Sequence, residues 1–254
     1  MEETNIKTEA IETTETIDAK SFDVINEADL KTYQEMLKVG AMYGHKKTRT
    51  NPKFKKYIFA TRNNIEIIDL VKTLEAVDST VNFLNDQIKG KKTILLVSTQ
   101  PAAWEAIDNL AKKLNLPCVK NRWIGGLITN FKVVSLRLEY FKKIQTDMES
   151  GALDKYTKKE RVMINKNIHR MKKMFGGLET LTSLPDILFV VDASIKGHMT
   201  AIREAKRKKI PIVAIIDSDD NPDLIDYPIP ANDHSKMSIE WVVNRIIDNL
   251  GNND

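Results

Sequence analysis

The chain has 254 residues, of which 42% are hydrophobic and 29% are charged, and its 39 Lys and Arg outnumber its 35 Asp and Glu by four. These proportions are typical of a soluble globular protein and exclude a fully disordered or fibrous chain. The longest apolar run, Ile210 to Ile216, is far shorter than the roughly 18 residues of a membrane span, so we expect no membrane partner. The N-terminus lacks the features of a secretory or transit peptide, which predicts a cytoplasmic protein.

The charge is unevenly distributed. Residues 1–31, the acidic extension, hold nine acidic residues and three lysines, which leaves the rest of the chain with a net charge of +10. The extension is repetitive in Thr and Glu and poor in large apolar residues, so we predict that it is mostly disordered. Its alternative is an acidic arm that binds a basic partner.

The basic run, Lys38 to Arg62, contains eight cations and no acidic residue: Lys38, Lys46, Lys47, Arg49, Lys53, Lys55, Lys56 and Arg62. Cations that repel one another at this density favour an anionic ligand, and a nucleic-acid backbone supplies one. An ordinary solvated face is the alternative. Four aromatic residues in the run could stack on unpaired bases or pack inward, and we expect core packing for Tyr57 and Phe59.

The following elements alternate between strand and helix. Strands are predicted at 65–68, 93–98, 118–119, 187–191 and 210–216, and helices at 70–88, 101–114, 196–208 and 236–250. The continuous apolar strands are those of a parallel sheet covered on both faces. The pattern predicts a Rossmann-like, flavodoxin-like α/β domain of three layers, formed by residues 32–130 and 178–254.

Residues 131–177 interrupt this alternation. Val134, Leu138, Phe141 and Met148 are spaced by 4, 3 and 7 residues, and a second stripe follows at Ile164, Ile168, Met171 and Phe175. The spacing predicts two amphipathic helices joined near residues 150–151 in an inserted helical hairpin, or coiled coil. Its outer faces are rich in Lys and Arg.

The residues after the predicted strands do not provide an obvious catalytic site. Neither the loop after 93–98 nor the loop after 187–191 contains the glycines of a dinucleotide-binding turn, and no Walker motif occurs. The acidic stretch Asp217–Asp223 lacks the Gly and Glu of a calcium loop, although a Mg²⁺ there stays an open alternative. The four histidines and Cys118 have no metal-ligand spacing, so we predict no metal site, no cofactor and a buried, structural Cys118.

Several motifs in one order resemble a single family, the ribosomal protein two family of the bacterial small subunit. They cover about residues 36–250: VGAMYGH (39–45), NPK (51–53), YIF (57–59), NRWIGGLITNF (121–131), LPDILFVVD (184–192), AIREA (201–205), IPIVAIID (210–217) and NPDLIDYPIPAND (221–233). The resemblance implies an α/β domain with a protruding helical hairpin and no catalytic activity. It also implies binding to small-subunit ribosomal RNA near the junction of head and body, late incorporation during assembly, and docking of ribosomal protein one.

Carried onto matching positions, the resemblance places RNA contacts in the segment from residue 44 to 56 and in the loop at residue 122. Together with the basic run, this predicts an RNA-binding set of His45, Lys46, Lys47, Arg49, Asn51, Lys53, Lys55, Lys56, Arg62, Arg122, Trp123, Asn130 and Lys132. Cationic side chains would meet phosphates, Asn51 could bind sugar or base edges, and Trp123 could stack on a base. A turn anchored in the core by Trp123 is an equal alternative.

The functional prediction is therefore a non-enzymatic structural protein of the small ribosomal subunit that binds its RNA and contacts neighbouring ribosomal proteins. Two alternatives are a nucleotide- or sugar-phosphate-binding enzyme on the same sheet and an RNA-binding factor that acts away from the ribosome.

Overall fold

The structure, a computed structural model, describes residues 27–150, 153 and 156–250. It begins with helix α1 (Glu27–Lys38) and continues as a small antiparallel sheet, in which β3 (Ile65–Ile68) lies between β1 (Tyr43–Lys46) and β2 (Ile58–Arg62). Two 3-10 turns, Lys47–Arg49 and Pro52–Tyr57, connect the outer strands. The basic run thus forms both outer strands and the turns between them.

Helix α1 corrects one predicted boundary. Residues 27–31, which were predicted to belong to the acidic extension, are the first residues of this helix. Glu, Ala, Leu and Lys in this stretch are good helix formers, and the helix buries Met36 completely. The extension before residue 27 lies outside the described residues, so its predicted disorder stays a prediction.

A second sheet of five parallel strands forms the centre of the domain. Its strands are β4 (Ile94–Val97), β5 (Cys118–Val119), β6 (Ile187–Val191), β7 (Ile212–Ile216) and β8 (Tyr227–Pro230), arranged in the order β5-β4-β6-β7-β8. Four of them were predicted from their apolar runs. The order reverses direction between β4 and β6, as in flavodoxin-like folds, which confirms the predicted fold class.

Helices cover both faces of this sheet. One face packs against α2 (Leu70–Lys89), α3 (Trp104–Leu114) and α7 (Lys236–Asn249), whose Val77, Ile107 and Val242 are fully buried. The other face packs against α6 (Lys196–Arg207) and the base of the hairpin. Alternate residues of each strand belong to the hydrophobic cores on the two faces of the sheet, because successive side chains in a strand point to opposite faces.

The predicted hairpin consists of α4 (Phe131–Glu149) and α5 (Lys158–Phe175). Val134, Leu138 and Phe141 are buried, and the Phe141 and Phe175 rings lie 6.1 Å apart. Met148 does not continue this packing, because 52% of its surface is exposed. The hairpin is therefore packed at its base, where it joins the core of the domain, and loses apolar burial toward Met148.

His198 links the loops after β4 and β6, at the point where the strand order reverses. In enzymes of this fold class, nucleotides bind at that point. Its Nε2 accepts a hydrogen bond from the Thr99 amide at 2.9 Å, and its Nδ1 donates to the Asp192 carbonyl. Asp192 directly follows β6, and Thr99 is the second residue after β4. Burial lowers the pKa of His198, so the ring is neutral, as an accepting Nε2 requires.

Strand β8 was not predicted because it contains Pro228 and Pro230. Both are tolerated there since β8 is the outermost strand, with one neighbour.

Among the described helices, none is both long enough and apolar enough to cross a bilayer.

Candidate nucleic-acid interface

The basic run is fixed to the carboxyl end of β7 through His45. The His45 amide donates to Ser218 Oγ at 2.8 Å, and its Nδ1 donates to Asp217 Oδ2 at 2.8 Å. This bond to the carboxylate raises the pKa of His45 above its ordinary value, so the ring adds positive charge to the basic run as the pH falls. The Asn51 amide donates to the Ser218 carbonyl at 2.8 Å and holds the other end of the turn.

Gly44 permits this close approach. A Cβ at this position would lie 3.0 Å from Asp217 Oδ1, 3.0 Å from Ser218 Oγ and 3.1 Å from the Glu66 carbonyl. Contacts this short would force the basic run away from the 217–218 loop. The glycine in the sequence motif is thus explained by packing between two backbone segments that are 173 residues apart in sequence.

The cations of the predicted set are displayed on the surface. Among them, nine are exposed: Lys46, Lys47, Arg49, Lys53, Lys55, Lys56, Arg62, Arg122 and Lys132. Lys53 forms an ion pair with the exposed Asp223, and Lys56 lies 5.0 Å from the centre of the Tyr57 ring. Both contacts are solvent-accessible and weak enough for an incoming phosphate to replace.

Two polar side chains hold the shape of this surface from within. Asn51, predicted as an RNA contact, caps the turn that follows, because its Oδ1 accepts from the Lys53 amide at 3.0 Å. Glu66 is buried on β3 and accepts from Thr61 Oγ1 at 2.7 Å and Thr50 Oγ1 at 3.3 Å. No pattern of spacing in the chain indicated the role of Glu66.

The burial of the aromatic residues in the basic run differs in part from the prediction. Phe54 is fully buried and Tyr57 is half-buried against the same core. Phe59, for which core packing was predicted, is instead 76% exposed. The prediction was wrong because β2 is an outer strand whose side chains from Phe59 onward are exposed. Tyr43 is also exposed.

The loop after β5 carries the second predicted group and is organised by Glu204 of α6. The Glu204 carboxylate accepts hydrogen bonds from Trp123 Nε1 at 3.1 Å, from the amides of Gly126, Ile128 and Thr129, and from Thr129 Oγ1. Gly126 has a φ of +87°, which an L side chain rarely adopts. One buried carboxylate thereby fixes the whole turn.

The Trp123 side chain is 5% exposed and belongs to the core, as the alternative prediction of a core-anchored turn has it. The neighbouring Arg122 is exposed, as are Asn130 and Lys132 at the start of α4. In this loop, Trp123 holds the backbone while Arg122, Asn130 and Lys132 face solvent.

The Glu204 carboxylate is ionised because its donors outweigh its burial. Burial alone would raise the pKa of Glu204, but the hydrogen bonds from the Gly126 amide, the Trp123 indole and the Thr129 and Ile128 amides lower it below its ordinary value. A carboxylate with several directed donors is a strong structural anchor.

Both predicted groups lie at the same edge of the parallel sheet. The 121–130 loop follows β5, and the basic run contacts the loop after β7, three strand positions away. At about 4.8 Å per strand, the carboxyl ends of β5 and β7 are roughly 14 Å apart. Lys196, which was not among the predicted site residues, is exposed between them after β6. Its position directly after a predicted strand was the signal that could have identified it.

Carboxylates and histidines cluster beneath this edge. Ligand atoms of His45, Asp217 and His234 lie within 4.8 Å of one another, as do those of Asp192, Asp233 and His234. Burial and neighbouring carboxylates raise the pKa of Asp220 to about 9 and that of Asp233 well above its ordinary value. Imidazole and carboxylate together suit a divalent ion such as Zn²⁺. Sequence spacing predicted no such grouping.

Comparison with known proteins gives a consistent result. A family model described as Ribosomal protein S2 matches residues 36–252. The chain is 41% identical over 217 residues to the small ribosomal subunit protein uS2 of Coprothermobacter proteolyticus, which covers 85% of this chain and 80% of that protein. The uS2 protein of Thermus thermophilus is 39% identical, covering 85% and 84%. The uS2c protein of Cyanophora paradoxa is 36% identical, covering 85% and 92%.

Proposed function

The chain belongs to the ribosomal protein S2 family, a family of structural, non-enzymatic proteins of the small ribosomal subunit, and we propose that it binds small-subunit ribosomal RNA through the carboxyl edge of its parallel sheet. In this role it acts in the cytoplasm, as a constituent of the small subunit in contact with neighbouring ribosomal proteins.

The observation that carries this proposal is the acid-free basic run held rigidly at that edge. Its cations are exposed, while the backbone beneath them is fixed by His45, Asn51 and Glu66. A preorganised cationic surface loses less conformational entropy when a ligand binds than flexible lysines would. Phosphates are the matching ligand because they neutralise several cations at once and release counterions.

The Arg122 loop extends the same surface. Arg122, Asn130 and Lys132 are exposed near one end of it, Lys196 lies in the middle, and the basic run forms the other end. A duplex or loop of RNA is wide enough to span the roughly 14 Å between the carboxyl ends of β5 and β7. Contacts of this kind position the protein on the RNA and carry little sequence information.

We also propose that the chain docks ribosomal protein one, because it belongs to this family. The acidic extension lies before the family match, which starts at residue 36, so we assign this docking to the family domain and not to the extension. Capture of purified ribosomal protein one by immobilised full-length protein tests it. The matched control is the same protein in the presence of excess free ribosomal protein one.

Binding to purified small-subunit ribosomal RNA tests the main proposal. We expect log Kd to rise linearly with the logarithm of the salt concentration, with a slope that reflects several phosphate contacts. A synthetic RNA duplex of unrelated sequence should bind more weakly at every salt concentration, because it offers the same phosphates without the folded shape of the ribosomal RNA. Binding that is insensitive to salt, or equal for both RNAs, would contradict the proposal.

A further inference from the structure

An apolar groove lies on the side of the small antiparallel sheet that faces α1. It has a volume of about 330 Å³, and its lining includes Tyr33 and Leu37 of α1, Met42, Phe59 of β2, Ile67 of β3 and Val71 of α2. Phe59 is 76% exposed, Val71 50% and Leu37 47%. A cluster of large apolar side chains this exposed marks an interaction surface.

We propose that the groove binds the chain's own N-terminal segment, residues 17–25, so that Phe22 packs beside Phe59. The segment has the sequence IDAKSFDVI and carries its apolar residues at Ile17, Phe22, Val24 and Ile25. It is the most apolar part of the chain before α1.

Chain continuity favours this occupant. The segment ends two residues before Glu27, where α1 begins, and α1 itself forms one wall of the groove. At 1.5 Å per residue, Tyr33 lies about 9 Å along the helix from Glu27. Five extended residues span roughly 17 Å, so Phe22 reaches the groove after one reversal of the chain. A tethered segment also has an effective concentration on the order of millimolar, which a free partner must exceed.

Photocrosslinking of the full-length chain tests the proposal. Phe22 is replaced by p-benzoylphenylalanine, a photoreactive residue of similar shape, and the monomeric fraction is irradiated without RNA. We expect crosslinks within one chain to Met42, Leu37 or Phe59. Phe59→Ser should lower their yield by about tenfold, because the probe loses its main apolar contact. Leu136→Ser, on α4 and 59% exposed, is the matched control and should leave the yield unchanged.

Three outcomes would overturn the proposal. Crosslinks between two chains would show that the groove takes a second copy. Crosslinks that avoid the groove would place the segment elsewhere, and a yield that Phe59→Ser does not lower would separate the segment from Phe59. Circular dichroism of both Ser variants shows whether they fold, and the exposure of both side chains predicts that they do. Because no RNA is present, failure here leaves the proposed RNA binding untouched.

Discussion

The Glu204 carboxylate accepts a hydrogen bond from the Trp123 indole at 3.1 Å and thereby joins α6 to the loop that follows β5. The same carboxylate holds the amides of Gly126, Ile128 and Thr129. The positions of Arg122 and Asn130 on the proposed RNA surface depend on this buried anchor, although Glu204 itself does not reach that surface.

Glu204→Gln should destabilise the fold by about 2–4 kcal/mol, because an amide nitrogen would face backbone donors and the charge-assisted bonds would be lost. Urea unfolding followed by tryptophan fluorescence measures the change. Glu139→Gln, an exposed residue on α4, is the matched control and should have little effect. Equal stability of both variants would contradict the anchoring role.

The anchor also predicts a dependence on pH. The pKa of Glu204 is lower in the folded protein than its ordinary value of 4.5, so the unfolded chain takes up its proton first as the pH falls. Its stabilisation is fully present above that ordinary value and is lost as the pH falls through the lower, folded pKa. The difference in unfolding free energy between the protein and Glu204→Gln should therefore shrink in this acidic range. A difference that stays constant there would refute the assignment.

Substitutions at Trp123 and Arg122 should have separate effects on the stability of the fold and on RNA affinity. Trp123→Phe removes one hydrogen bond to a buried charge and should cost about 1–2 kcal/mol of stability, with RNA affinity unchanged in the folded protein. Arg122→Ala should do the opposite, weakening RNA binding with little change in stability. Thermal unfolding and filter binding on the same preparations distinguish the two. Weaker RNA binding by folded Trp123→Phe would restore the stacking role.

Gly44→Ala should destabilise the protein by about 1–3 kcal/mol, because the new methyl group crowds three oxygen atoms at 3.0–3.1 Å. Gly125→Ala is the control, since a Cβ there meets nothing within 4 Å. Chemical unfolding of the pair isolates the packing effect. If both variants are equally stable, the basic run does not need its close contact with the 217–218 loop.

The basic run should account for much of the RNA affinity. Changing Lys46, Lys47 and Arg49 together to Ala should weaken binding and reduce the salt slope by about one for each phosphate that the variant no longer binds. A matched control changes Lys89, Arg207 and Lys208, which are exposed at the ends of α2 and α6 near the opposite edge of the sheet. It removes the same charge from another surface. If both triple variants bind alike, the interface is not localised to the basic run.

The central part of the fold was predictable because its strands are buried on both faces. Continuous apolar runs such as Ile187–Val191 can hardly form anything else at that length, and the 3–4 spacing at Val134 and Leu138 predicts a helix equally well. Strand β8 could not be predicted because Pro228 and Pro230 in a sequence argue against a strand. They are tolerated here because β8 lies at the edge of the sheet, which the sequence does not reveal.

The site was predictable in composition and less so in detail. The absence of acidic residues in the basic run is a local property, so its exposed lysines could be identified directly. The roles of Trp123 and Glu204, by contrast, depend on a contact between residues 81 positions apart. His45 and Asp217 are brought together across 172 positions, which no spacing rule within a short window detects.

Sedimentation of the protein with small ribosomal subunits tests the central claim most directly. A cell lysate is resolved on sucrose gradients at moderate and at high salt, and each fraction is probed for this protein. We predict comigration with small subunits that disappears as salt rises, and at lower salt for the variant of Lys46, Lys47 and Arg49 than for its matched control. A free peak at every salt concentration would contradict an electrostatically held constituent of the small subunit.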